Sequence, residues 1–87
     1  MSHGLTEGAA AVLHDMADKA PEVFAATART LALIAAAHEQ GTLPEGATPT
    51  DQWGDVHDLP VAQQPVLIEW FSGDPEILTV TRITWLA

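Results

Sequence analysis

The chain has 87 residues, 47% of them hydrophobic, and carries twelve acids against three bases for a formal charge of −9. That length holds one small core and no second domain, and the absence of cysteine excludes disulfides, thiolate metal sites and cysteine nucleophiles. Three scattered bases, Lys19, Arg29 and Arg82, cannot neutralise a run of phosphates, so nucleic-acid binding by the chain's own charge is excluded too.

Met1-Ser2-His3-Gly4 lacks the basic segment and apolar run of a secretory signal, and reads as a mature start in a cytoplasmic protein. Thr6 is placed to cap a first helix, with Glu7 in its first turn favouring the positive end of the dipole. Ala9, Val12, Leu13, Met16 and Ala17 recur at helical spacing, so a helix is predicted over Glu7 to Lys19. Ala20-Pro21 interrupts it, because the residue before proline avoids the helical region while proline suits the first position of a new helix. A second helix is predicted from Pro21 through Gln40, with Gly41 as its left-handed stop.

On that second helix Val23, Phe24, Leu31 and Ile34 form a face of large residues, and Ala25, Ala28, Ala32, Ala35 and Ala36 a smooth one. Thr27, Arg29 and Thr30 leave a narrow wet edge, so the helix is expected to pack on two sides. Its apolar stretch, Val23 to Ala37, is too short to cross a bilayer and holds Arg29 at its middle, so no membrane span is expected.

From Thr42 to Asp58 the sequence TLPEGATPTDQWGDVHD has two prolines, two glycines and no useful period, and reads as a loop or extended excursion. Trp53, flanked by Asp51, Gly54 and Asp55, either pins this loop to the core, the commoner arrangement, or stands exposed for a partner. The charge is uneven. Residues 1–38 and 59–87 each carry a net −2, and the remaining −5 sits on Glu39, Glu45, Asp51, Asp55 and Asp58.

After Leu59-Pro60, the run VLIEWF (Val66 to Phe71) and the β-branched run from Glu76 to Leu86 flank the turn signal Ser72-Gly73-Asp74-Pro75, and read as a hairpin. Pairing Phe71 with Glu76 would put Val66, Ile68 and Trp70 on one face with Ile77, Thr79, Thr81, Ile83 and Trp85. Leu67, Glu69, Phe71, Leu78, Val80, Arg82 and Leu86 would take the other. Neither face is polar enough for water, and a lone hairpin is marginal. One face takes the helices; the other needs the middle segment, a third strand such as Val56 to Leu59, or a second copy. The last strand has no lysine or proline guarding its edge, which points to a homodimer by edge pairing. The expected fold class is α+β in a single domain over residues 1–87, a helical pair packed on a C-terminal antiparallel hairpin.

Little here equips an enzyme. Ser2 lies near the terminus and Ser72 in a turn, neither in a nucleophile elbow, and no glycine-rich phosphate loop appears. His14 and Asp18 are four apart on the first helix and offer two metal ligands, which Asp55, His57 and Asp58 extend only if the two regions meet. A helix-surface pair beside a solvated acidic loop is the plainer account. His38, in the last turn of the second helix, suits the dipole. No catalytic residue, metal or cofactor is expected.

The order of elements, LHDMADKAPEVF closing the first helix, a longer second helix, DVHDLP, then VLIEWFSGDPEILTVTRI, resembles the helical pair and C-terminal strands of the RelE/ParE superfamily of toxin-antitoxin proteins over about residues 9–85. The chain departs from that pattern in lacking its opening strand and the basic residues its ribosome-dependent ribonucleases use. The leading expectation is a small acidic protein-interaction module, of inhibitor, immunity or antitoxin-like type, in which Glu45, Asp51, Trp53, Asp55 and Asp58 bind a basic protein partner. The alternatives are an inactive or divergent RelE/ParE-like component and a structural or assembly subunit.

Overall fold

The computed structural model describes residues 2–86, so the start at Met1 and the end at Ala87 lie outside the described residues. The elements follow as β1 (Ser2–Leu5), α1 (Glu7–Lys19), α2 (Pro21–Glu39), β2 (Thr48–Pro49), β3 (Val56–Pro60), β4 (Val66–Phe71) and β5 (Ile77–Trp85). The strands form one mixed sheet in the order β1-β5-β4-β3-β2, with β1 parallel to β5 and every other pair antiparallel. This is an α+β fold whose hairpin β4–β5 is the centre of a five-stranded sheet rather than the whole of it. Among the described residues no helix is long and apolar enough to cross a membrane.

Both helices form as the sequence dictates. The Thr6 side chain accepts from the Ala9 amide at 3.3 Å, and Gly41 leaves α2 at φ 70°, a conformation that glycine adopts without strain. The burial of α2 differs from expectation. Thr27 and Thr30 lie inside, while Ala25, Ala28, Ala32 and Ala36 face solvent, so the helix packs on one side only. Threonine can replace alanine inside because its methyl packs and its hydroxyl can bond back to the helix, as Thr30 does to the Ala26 carbonyl at 3.1 Å. Thr27 makes no such bond; its hydroxyl is the one buried side-chain polar atom without a partner among the described residues.

The core joins Ala9 and Met16 of α1 and Ala26 and Ile34 of α2 to Leu59, Ile68, Trp70, Leu78, Val80 and Ile83 of the sheet. The inner face is not the one that a Phe71–Glu76 pairing makes. Phe71 pairs with Thr79 and Trp70 with Val80, but Glu69 pairs with Arg82, so a bulge at Thr81 separates two registers. Below it, Val66 and Ile68 share the inner face with Trp85 and Ile83 as expected. Above it the faces exchange: Leu78 and Val80 go inside, and Ile77 and Thr79 go out.

Two further expectations about the sheet are sharpened. β1 pairs along Ile77–Val80 and covers that half of the β5 edge, so the part of the edge left for pairing with a second copy is Thr81–Trp85. Ser2-His3-Gly4-Leu5 carries no strand pattern, and its extended state is imposed by that pairing. It also supplies a strand ahead of the helices, which the RelE/ParE comparison had lacked. Val56–Pro60 does form a third strand, but it widens the sheet instead of covering its second face. Leu67, Phe71 and Ile77 therefore stay exposed there, around a cross-strand row of Asp58, Glu69 and Arg82.

Replacing Thr27 by the isosteric valine removes a desolvated hydroxyl that has no partner, and should stabilise the fold by about 1 kcal/mol. Thermal unfolding reads this as a rise in Tm of several degrees; a fall would mean that the hydroxyl is paired.

Candidate interaction site

At one end of the sheet the β2–β3 connection meets the β4–β5 turn. Asp51 Oδ1 accepts from the backbone amides of Asp55 at 3.0 Å and Val56 at 3.2 Å, and the Thr50 amide donates to the Val56 carbonyl at 2.8 Å. The turn closes through Gly54 at φ 74°. At its tip stands Trp53, 74% exposed. The expectation that this tryptophan pins the loop is overturned: the Asp51 carboxylate holds the turn, which leaves the indole outside.

The neighbouring turn is tied to this tip. The Ser72 amide and hydroxyl both reach the Asp55 carbonyl, at 2.6 Å and 3.1 Å. Ser72 Oγ also lies 3.3 Å from His57 Nδ1, and the His57 ring stacks on Trp70 with centroids 6.0 Å apart. His38, in the last turn of α2, meets the Asp74 carbonyl through Nε2 at 2.9 Å. Between the end of α2 and these two turns lies a cleft of about 360 Å³, lined by His38, Thr42, Leu43, Gly54, His57 and Ser72, with Gly41 and Pro75 at its margin. Gly54 joins it directly to Trp53.

Of the residues singled out from sequence, Asp51, Trp53 and Asp55 come together at the tip. Glu45 instead lies with Leu33, Ala36 and Leu59 along a groove on the helical side. Asp58 alternates with the buried His57 and Leu59, and so faces the other side of the sheet, opposite Glu69. Asp74 and Glu76, which the chain order places far from the middle segment, join the acidic end through the β4–β5 turn, where Asp74 Oδ1 accepts from the Glu76 amide at 2.9 Å. No base lines the cleft. Lys19 pairs with Asp15 at 2.9 Å on α1, and that hydrogen bond holds its ammonium above the ordinary lysine value.

The His14–Asp18 pair flanks a shallow hollow on α1 with Ala11 and Asp15. It is not joined by the histidine of β3, and among the described residues no three His, Asp or Glu side chains gather as a metal site. The sequence reading missed the cleft. His38 and Asp74 are 36 residues apart and Ser72 and His57 are 15 apart, so no local spacing announces either contact.

No family model, curated protein or solved structure matches this chain. Its function has to be argued from the chemistry of the site itself.

Asp51→Ala removes the acceptor for two amides and should loosen the tip at a cost of about 1–2 kcal/mol. Hydrogen exchange should quicken at Asp55 and Val56 while the amides of β4 keep their protection. Unchanged exchange at those two amides would show that the carboxylate does not hold the turn.

Proposed function

We propose that the chain is a small acidic protein-interaction module, of inhibitor, immunity or antitoxin-like type, whose Trp53 tip meets a basic protein partner. The observation that supports this most is the exposure of Trp53 on a turn fixed by Asp51. An indole in water is an unusual use of the most apolar aromatic surface, and covering its exposed part is worth about 3 kcal/mol at roughly 25 cal/mol per Å². Because the turn is already ordered, little conformational entropy opposes that gain on binding. Asp51 and Asp55 share the turn of the anchor, and Asp74 and Glu76 lie on the neighbouring turn tied to it; this negative charge steers a cationic partner and sets salt dependence more than affinity.

A divergent RelE/ParE-type component is the second reading. β1 supplies the opening strand that the comparison needed, and the basic residues are still absent. The assembly-subunit alternative keeps only the Thr81–Trp85 part of the β5 edge, since β1 takes Ile77–Val80.

Trp53→Ala should leave the circular dichroism and Tm of the protein unchanged, because the indole is outside the core, while weakening partner binding about 100-fold, the usual scale for an aromatic anchor. Extract from the source cell passed over immobilised wild-type and Trp53→Ala protein gives the comparison. A partner held by the wild type alone, and released as salt rises, is the expected result. Identical retention by both proteins, or retention indifferent to salt, would overturn the proposal.

A further inference from the structure

We infer that the outer face of the sheet is a self-association surface, on which a second copy of this chain docks through the hairpin β4–β5. This face is separate from the Trp53 tip, and the inference does not rest on the partner-binding role.

Both helices pack on the inner face, against Ile68, Trp70, Leu78, Val80 and Ile83. On the outer face they leave Leu67, Phe71 and Ile77 exposed, with Val56 and Thr79 on either side of Phe71. Single apolar residues are ordinary on a surface. Three large ones on two neighbouring strands of so acidic a chain mark a contact.

The charges on this face select the occupant. Arg82 of β5, Glu69 of β4 and Asp58 of β3 form one cross-strand row with the base at its end. Arg82 is exposed and makes no ion pair among the described residues, although Glu69 is its direct neighbour. Glu69 is engaged elsewhere: one of its carboxylate oxygens lies 3.0 Å from the Thr81 hydroxyl. A cationic partner would set its charge against Arg82, and a polyanion against Glu69 and Asp58. The row fits a surface of equally mixed sign.

A second copy supplies that surface by symmetry. In a face-to-face pair whose two-fold axis runs along the hairpin, midway between β4 and β5, residues that neighbour each other across the two strands exchange places between copies. Arg82 of each copy then faces Glu69 of the other. The same operation sets Phe71 against Thr79 and Leu67 against Thr84, so each large apolar side chain meets a smaller threonine. Sheets packed in this aligned way lie about 10 Å apart, within reach of an arginine and a glutamate extended towards each other. A patch centred on that axis takes in β1, β5, β4 and β3, so it is about 19 Å wide and, along the six residues of β4, about 20 Å long. That is roughly 400 Å² in projection on each copy, at the lower limit for a specific interface. The dimer is therefore weak and reversible.

Sedimentation of the full chain from about 5 to about 500 µM tests this, in about 0.15 M salt to screen the repulsion between two copies of charge −9. The wild type should pass from monomer to dimer across that range. Arg82→Glu and, separately, Glu69→Arg set like charges across the interface, and each should raise the Kd at least tenfold. An equimolar mixture of the two variants should dimerise again, because each copy then carries the charge that the other lacks. Leu67→Lys changes an exposed position outside the core, and should weaken the dimer with circular dichroism unchanged; it keeps the test decisive if a charge variant fails to fold. Trp53→Ala should leave self-association as it is, so this face and the tip stand or fall separately. A monomer at every concentration, a dimer indifferent to Arg82→Glu and Leu67→Lys, or folded charge variants that do not associate when mixed would each overturn the inference. The indifferent dimer would point to the Thr81–Trp85 edge instead.

Discussion

The arrangement of this molecule depends on one break in strand register. Opposite Glu69 and Trp70, β5 carries an extra residue, Thr81, whose hydroxyl bonds back to the Glu69 carbonyl at 3.2 Å and its carboxylate at 3.0 Å. Without the bulge, the alternation that puts Ile83 and Trp85 against the helices would put Ile77 and Thr79 there as well, with Leu78 and Val80 in water. A bulge restores both halves to the same core at the cost of one unpaired position. The first half of β5, turned by it, is also the half that β1 joins, so the fifth strand and the α1 start, where the Thr6 amide donates to Val80, both follow from the same irregularity.

With Phe71 opposite Thr79, the chain from Ser72 to Leu78 has slack to fold back on the tip of β2–β3, and Ser72 lands on the Asp55 carbonyl. That junction, His57 stacked on Trp70, and His38 on Asp74 fasten three chain segments around the cleft. Such a site is rigid because its walls are hydrogen-bonded to each other.

Charge and geometry play separate parts at this end of the molecule. The carboxylates set a long-range field that is screened by salt and makes little contact. Asp51 is different, because its carboxylate holds two amides and is part of the turn itself. The indole of Trp53 stands exposed at the tip. Of the five residues that charge and sequence proximity grouped as one surface, folding keeps three together and sends Glu45 and Asp58 to opposite sides of the sheet.

Local chemistry alone determined the parts of this protein that rest on nearest neighbours. Both helices, the stop at Gly41, the strand VLIEWF and the overall acidity were legible because proline, glycine, caps and apolar period act over a few residues, whereas a strand at Val56–Leu59 was only one of three ways offered to cover the hairpin. Local chemistry could not determine the strand state of Ser2–Leu5, which has no pattern of its own and is extended only because β5 offers it hydrogen bonds. Nor could it fix the inner face of β5, which turns on a single extra residue, or the burial of Thr27 and Thr30, which read as polar until α2 is seated. Trp53 was expected to pin the loop and stands exposed instead, since its position depends on whether a carboxylate or an indole holds the turn. The cleft was decided entirely by tertiary structure. Its side-chain contacts join residues 15 to 36 apart, which no local pattern brings together.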